Sequence, residues 1–190
     1  MESTHPCRAE QLLAFHCAPA LAGIKPANLL CCKTDDFSRV RTQFRDLARQ
    51  LSGTDICIQV LCRCQKRVLI LVYRRHKLAA HLDQPDYHTY LKKQGYPVGQ
   101  GLNTVLQHLA RAIQNECGFP HEIGAFLGYP LEDIQGFIRH RGQNYRLCGY
   151  WKVYGDPDRA QLLFARYTSC RNGLCRQLAR GKHMAQLFVA

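Results

Sequence analysis

The sequence is short of acid. Only 14 Asp and Glu stand against 26 Lys and Arg, leaving a formal charge of +12. That surplus favours anionic partners such as nucleic acid, a phosphorylated metabolite or an acidic protein. It serves solubility equally well and by itself selects no function. Long apolar runs are missing too. Nothing approaches the roughly 18 residues that a membrane span needs, so no membrane partner is expected. The opening stretch MESTHPCRAEQ has no basic segment followed by an apolar one, so no export signal is read and the expected location is the cytoplasm. Linkers and low-complexity tracts are also lacking, and no domain boundary is legible.

Several named chemistries are excluded by what is not there. The 11 cysteines include no C-x-x-C. The close pairs are Cys31-Cys32, Cys62-Arg63-Cys64 and Cys170 with Cys175. Without metal-site spacing or an export signal, they are expected to be reduced, mostly as core filler, with no metal site. Adjacent His16 and Cys17 do not face each other on a helix, so no Cys–His nucleophile is supported. His121-Glu122 does not open a zinc-protease motif, because Ala125 stands where the second His belongs. There is no phosphate loop and no G-x-S-x-G elbow. Gly99-Gln100-Gly101 keeps only the first two glycines of a dinucleotide fingerprint, with no strand before it. No cofactor is assigned, and composition is silent on oligomeric state.

What is there is a chain of 190 residues, 46% apolar, enough for one domain with a real core. The spacing predicts an α+β fold: a small mixed sheet of three to five strands packed with several helices, over residues 1–180 as a single domain. Residues 181–190 read as a basic, loosely held tail. Helix is expected from Arg8 to Cys17, ending before Pro19. A second helix runs to Leu51, with Phe37, Val40, Phe44 and Leu47 on one stripe and Gly53 as a left-handed stop. Ile56, Ile58 and Val60 alternate along a strand. Val68 to Tyr73 is apolar throughout, as an interior strand would be. Helices follow over 75–82 and 86–94. A long amphipathic helix then carries Leu102, Val105, Leu106, Leu109 and Ile113, with Gly118 as its stop. A strand covers Tyr150 to Tyr154. Asp156 followed by Pro157 opens a helix expected to end near Asn172-Gly173.

The densest set of chemically able side chains lies in Phe119 to Ile138, FPHEIGAFLGYPLEDIQGFI. It reads as a short helix, a Gly128-Tyr129-Pro130 turn and a second helix. Pro120 puts His121 and Glu122 at a helix start, where free amides and the dipole favour an anionic Glu and a neutral His. These two are the candidate catalytic residues, with ordinary capping as the competing reading. Glu132 and Asp133 read as caps of the second helix. Lys25, in a loop fixed by Gly23 and Pro26, and Lys152, in a strand beside Trp151 and Tyr154, are candidate ligand-binding residues together with Tyr129. The expected function is binding or transforming a small anionic metabolite in a Lys/His/Glu-lined pocket. The alternative is a DNA-binding or protein-interaction module using residues 120–141 as a helix-turn-helix. Arg139 and Arg141 favour that alternative, while Glu132 and Asp133 at the start of the would-be recognition helix oppose it.

Four segments, in this order, resemble one family: HCAPALAGIKPANLL from His16, VLILVYR from Val68, FPHEIGAFLGYPLEDIQGFI from Phe119, and WKVYGD from Trp151. The family is the bacterial domain of unknown function 3793. The match runs from about His16 to Tyr167, and its most specific motifs are PHEIG and LGYP. The resemblance implies a stand-alone bacterial protein of one domain, and it brings no activity, ligand or catalytic residue with it.

Overall fold

A buried apolar strand organises the sheet. The structure, a computed structural model, describes residues 5–115 and 119–189. Its contacts group the chain into two compact units, residues 1–77 with 169–190, and residues 78–168. The elements, in chain order, are α1 (Arg8–Leu21), β1 (Ala27–Lys33), α2 (Thr34–Gln50), β2 (Ile56–Arg63), β3 (Arg67–Arg74), α3 (Arg75–Leu82), α4 (Pro85–Lys93), α5 (Leu102–Asn115), α6 (Ile123–Phe126), α7 (Leu131–Arg139), β4 (Leu147–Cys148), β5 (Lys152–Val153), α8 (Pro157–Ala179) and α9 (Met184–Phe188). The class is α+β, as the spacing predicts.

In the first unit β3 lies between β1 and β2. Val68 to Tyr73, without polar alternation, is therefore interior, with Val68, Ile70, Leu71 and Val72 fully buried. Both neighbours pair antiparallel to β3, so the sheet is antiparallel rather than mixed. β1 and β2 run parallel to each other but never touch, because β3 is inserted between them and α2 carries the chain across. The stripe of α2 (Phe37, Val40, Phe44, Leu47) joins Leu13, Cys17 and Leu21 of α1 over Leu30, Ile70 and Val72 to form the core. Each such side chain contributes about 1.5–3 kcal/mol.

Four local expectations give way to packing. α1 runs through Pro19 to Leu21. Pro19 has no N–H to give the helix, and the next N–H, of Ala20, goes instead to Asn28 Oδ1 at 3.1 Å. The Pro19 carbonyl accepts Ile24 N–H and Lys25 N–H at 2.8 and 3.0 Å, so the proline anchors the loop that follows. α2 ends at Leu51 in a right-handed geometry, and Gly53 is not among the left-handed glycines. In β2 the register shifts between Val60 and Cys62. That bulge turns Leu61 inward and leaves Val60 48% exposed, because one extra residue exchanges the two faces. α8 passes through Gly173 to Ala179, since Leu174, Cys175 and Leu178 pack on the core and that burial outweighs the roughly 1 kcal/mol a helical glycine costs.

Beyond residue 181, His183 and Met184 are held to α1. Glu10 is 3% exposed and accepts the Met184 N–H at 2.8 Å, the Cys7 N–H at 2.8 Å and His183 Nδ1 at 3.2 Å. Met184 is fully buried.

The second unit has little sheet. Leu147 and Cys148 pair with Val153 and Lys152, and helices supply the rest. Val105, Leu106 and Leu109 of α5 are buried, on the expected stripe. The expected stop at Gly118 lies outside the described residues. Asp156 caps α8 as predicted: its Oδ1 accepts the N–H groups of Asp158 and Arg159, both at 3.0 Å.

Candidate functional site

The site grows from the Gly124–Tyr129 turn. A Cβ on Gly124 would stand 2.9 Å from Ile134 Cγ1 and 3.2 Å from the Tyr129 ring, so only glycine lets α6 and α7 meet this closely. Gly128, at φ 70°, makes the left-handed corner between them. α6 is a single turn, Ile123–Phe126, and His121 and Glu122 form the bend before it. Four residues carry almost no macrodipole. The helix-start electrostatics expected for His121 and Glu122 are therefore not available to them.

Asp133 sets the opposite wall. It is 3% exposed and makes no side-chain cap of α7, and among the described residues it forms no salt bridge. Its Oδ2 accepts Trp151 Nε1–H at 2.7 Å, and its Oδ1 accepts the N–H groups of Tyr154 and Gly155 at 2.7 and 2.8 Å. Three donors thus satisfy a buried carboxylate, as its desolvation requires. They also fix the β5 segment against α7. Trp151 stacks on Tyr129 (4.9 Å, 26°) and meets the edge of Phe164 at 4.6 Å. Only Lys152 and Val153 of the expected strand over 150–154 are extended. The predicted alternation breaks there, so that Trp151 and Lys152 line the same cavity.

That cavity has a volume of about 510 Å³, in the range of small-molecule sites. Its aromatic wall is Phe119, Tyr129, Phe137 and Trp151. Pro120, Ile123 and Ile134 add apolar surface, and its ionisable members are His121, Asp133, Cys148 and Lys152. Lys152 donates from Nζ to the Gly142 carbonyl at 2.7 Å and lies over the rings of Tyr145 and Phe137, 4.9 and 5.9 Å from their centroids. A lysine ammonium has three N–H donors, so this bond leaves two. Cys148 is its cross-strand partner. His121 is exposed and packs on Phe137 at 5.3 Å. The Tyr129 hydroxyl donates to the Tyr150 carbonyl at 3.4 Å, and burial, then the nearby Tyr167, pushes its pKa up to about 12. Tyr129 is therefore a neutral donor or acceptor at any ordinary pH.

Three of the five residues singled out from sequence, His121, Tyr129 and Lys152, line this cavity; Glu122 and Lys25 are not among its lining. The charge of Glu122 bears on Tyr90, whose hydroxyl is pushed up to about 12, first by burial and then by that carboxylate. Lys25 belongs to the other unit, 2% exposed beside buried Cys17. Burial pulls its pKa down to about 8, and the Cys17 thiol opposes that pull only in part. Sequence reasoning missed Asp133 as a hub and Trp151, Phe137 and Cys148 as lining. The one available signal was that the chain's single tryptophan adjoins Lys152.

Asp133 and Trp151 also border a second cavity of about 410 Å³, whose charged lining includes Asp86, Glu132, Asp156 and Arg159. Among the described residues no helix is long and apolar enough to cross a membrane. The family model described as "Protein of unknown function (DUF3793)" matches residues 13–188. The chain belongs to the DUF3793 family. No curated protein and no solved structure matches it.

Proposed function

We propose that this DUF3793 member is a cytoplasmic protein that binds a small anionic metabolite in the cavity between α6, α7 and β5. Lys152 supplies the counter-charge, and His121 is the group able to accept or donate a proton. The observation that carries this reading is the lining itself. His121, Tyr129 and Lys152, three of the five side chains that the sequence offers for such a pocket, border one cavity, and Lys152 keeps two donors beyond its bond to Gly142. Three donors face the Asp133 oxygens and disperse its charge, which lessens but does not remove its repulsion of an anion. Glu122 and Lys25 have no part in this reading.

The test is a thermal-shift screen of wild type, Lys152→Met and His121→Ala against carboxylated, phosphorylated and nucleotide metabolites. A binding anion raises the Tm of wild type by an amount that grows with occupancy, and Lys152→Met loses that rise. The reading fails if no anion shifts wild type, or if Lys152→Met responds as wild type does.

The nucleic-acid reading of residues 120–141 has less support. Its first helix, α6, is one turn long, and the first turn of α7 carries Glu132 and Asp133. Salt-sensitive retention of duplex DNA at low ionic strength, weakened by replacing Arg139 and Arg141 with Ala, would revive it.

A further inference from the structure

Resting on that reading, we infer that the ligand of this cavity is an aromatic monocarboxylate, its ring seated among Tyr129, Phe137 and Trp151 and its carboxylate on Lys152. Charge argues for a single negative charge. Among the described residues, Lys152 is the one lysine or arginine in the lining, and Asp133 stands in the same wall. A dianion would leave a charge uncompensated against apolar side chains, which is costly. A carboxylate, by contrast, matches the two donors that Lys152 keeps after binding the Gly142 carbonyl.

The walls argue for the ring. Four of the lining side chains are aromatic and three more are aliphatic or proline. The stacked Tyr129–Trp151 pair, held at 4.9 Å and 26°, is fixed by the bond from Trp151 to Asp133 at 2.7 Å. A rigid aromatic surface rewards a ring more than a flexible alkyl chain. The ring gains offset or edge contacts beyond its area, and it loses less rotational freedom on binding.

The chain's only tryptophan lies in this wall, so its emission reports on occupancy directly. The experiment titrates wild type with 3-phenylpropionate, hexanoate, 3-phenylpropanol and phenyl phosphate, following tryptophan emission and Tm together. The expected result is saturable binding of 3-phenylpropionate, with each of the other three weaker by about tenfold or more. Lys152→Met loses about tenfold or more for 3-phenylpropionate, Lys152→Arg retains binding, and Lys25→Met behaves as wild type. Hexanoate binding as well as 3-phenylpropionate overturns the aromatic class and leaves the anion reading standing. Phenyl phosphate binding more tightly overturns the single charge. Equal binding of 3-phenylpropanol, undisturbed by Lys152→Met, overturns the anion reading itself. No response by either measure to any of the four overturns the inference.

Discussion

The two units each hold a lysine that the sequence marks out, and they treat it differently. In the sheet unit Lys25 is 2% exposed, held in a loop whose amides are bonded to the Pro19 carbonyl, and its pKa is drawn down to about 8. In the helical unit Lys152 borders a cavity of about 510 Å³, anchored by one carbonyl and two rings. The difference follows from what each unit is made of. The sheet unit packs aliphatic side chains from α1, α2 and β3 into a continuous core, where a side chain is either inside or outside. The helical unit also buries aliphatic side chains along α5, but around α6, α7 and β5 it sets aromatic rings and short elements about one carboxylate, Asp133. Rings hinged on a polar hub leave space between them. A lysine beside such a space can meet a ligand, whereas one sealed in an aliphatic core takes part in stability.

The comparison can be broken most forcefully at the centre of the sheet. Ile70→Ala, at a fully buried position of β3, is expected to cost about 2–5 kcal/mol in urea unfolding. A loss below about 1 kcal/mol would mean that the sheet core is not the tightly packed side of the contrast.

Asp133→Ala tests the other side. It strands the Trp151, Tyr154 and Gly155 donors and is expected to cost on the order of 3 kcal/mol. Tryptophan emission should move to the red in the folded protein as the wall opens. Unchanged emission would show that Asp133 does not hold the wall.

The sealed lysine gives a pH signature. The folded value of about 8 lies below the ordinary 10.5, so between these two the unfolded chain binds more protons and stability rises with pH. Wild type should therefore gain on Lys25→Met as pH goes from 8 to 10.5, and the difference should be flat below 8. Urea midpoints of both proteins across that range check it; a constant difference would mean that Lys25 is not sealed.

The smallest effect is expected at Glu10. Desolvation pushes its carboxyl up, but the Met184 and Cys7 amides and His183 together bring it below 4.5. Its contribution is thus complete above that value and is lost as pH falls below it. Glu10→Gln should lose less stability than wild type between pH 5 and 3. Parallel acid limbs would mean that the carboxylate does not tie α9 to α1.

Much of the fold was legible because some signals are local. The unbroken apolar run of Val68 to Tyr73 marked the central strand, since only a strand covered on both sides hides every side chain. The stripes of α2 and α5 and the Asp156-Pro157 start of α8 were equally plain. Where local rules compete with burial, burial decided. Pro19 sits inside α1 because a side chain from β1 takes the N–H that follows it. Gly173 sits inside α8 because its neighbours fill the core.

For the candidate site, the sequence determined which side chains carry chemistry, marking Lys25 and Glu122 alongside the three residues His121, Tyr129 and Lys152, because residue type alone fixes what can carry charge, donate or stack. Only the tertiary structure decided that these three share a cavity and that Lys25 and Glu122 do not line it. It alone turned Asp133 from an apparent helix cap into the hub of the aromatic wall. The physical reason is that a buried carboxylate must find donors wherever the fold supplies them. Asp133 finds them 18 to 22 residues away, beyond the reach of any periodicity or capping rule.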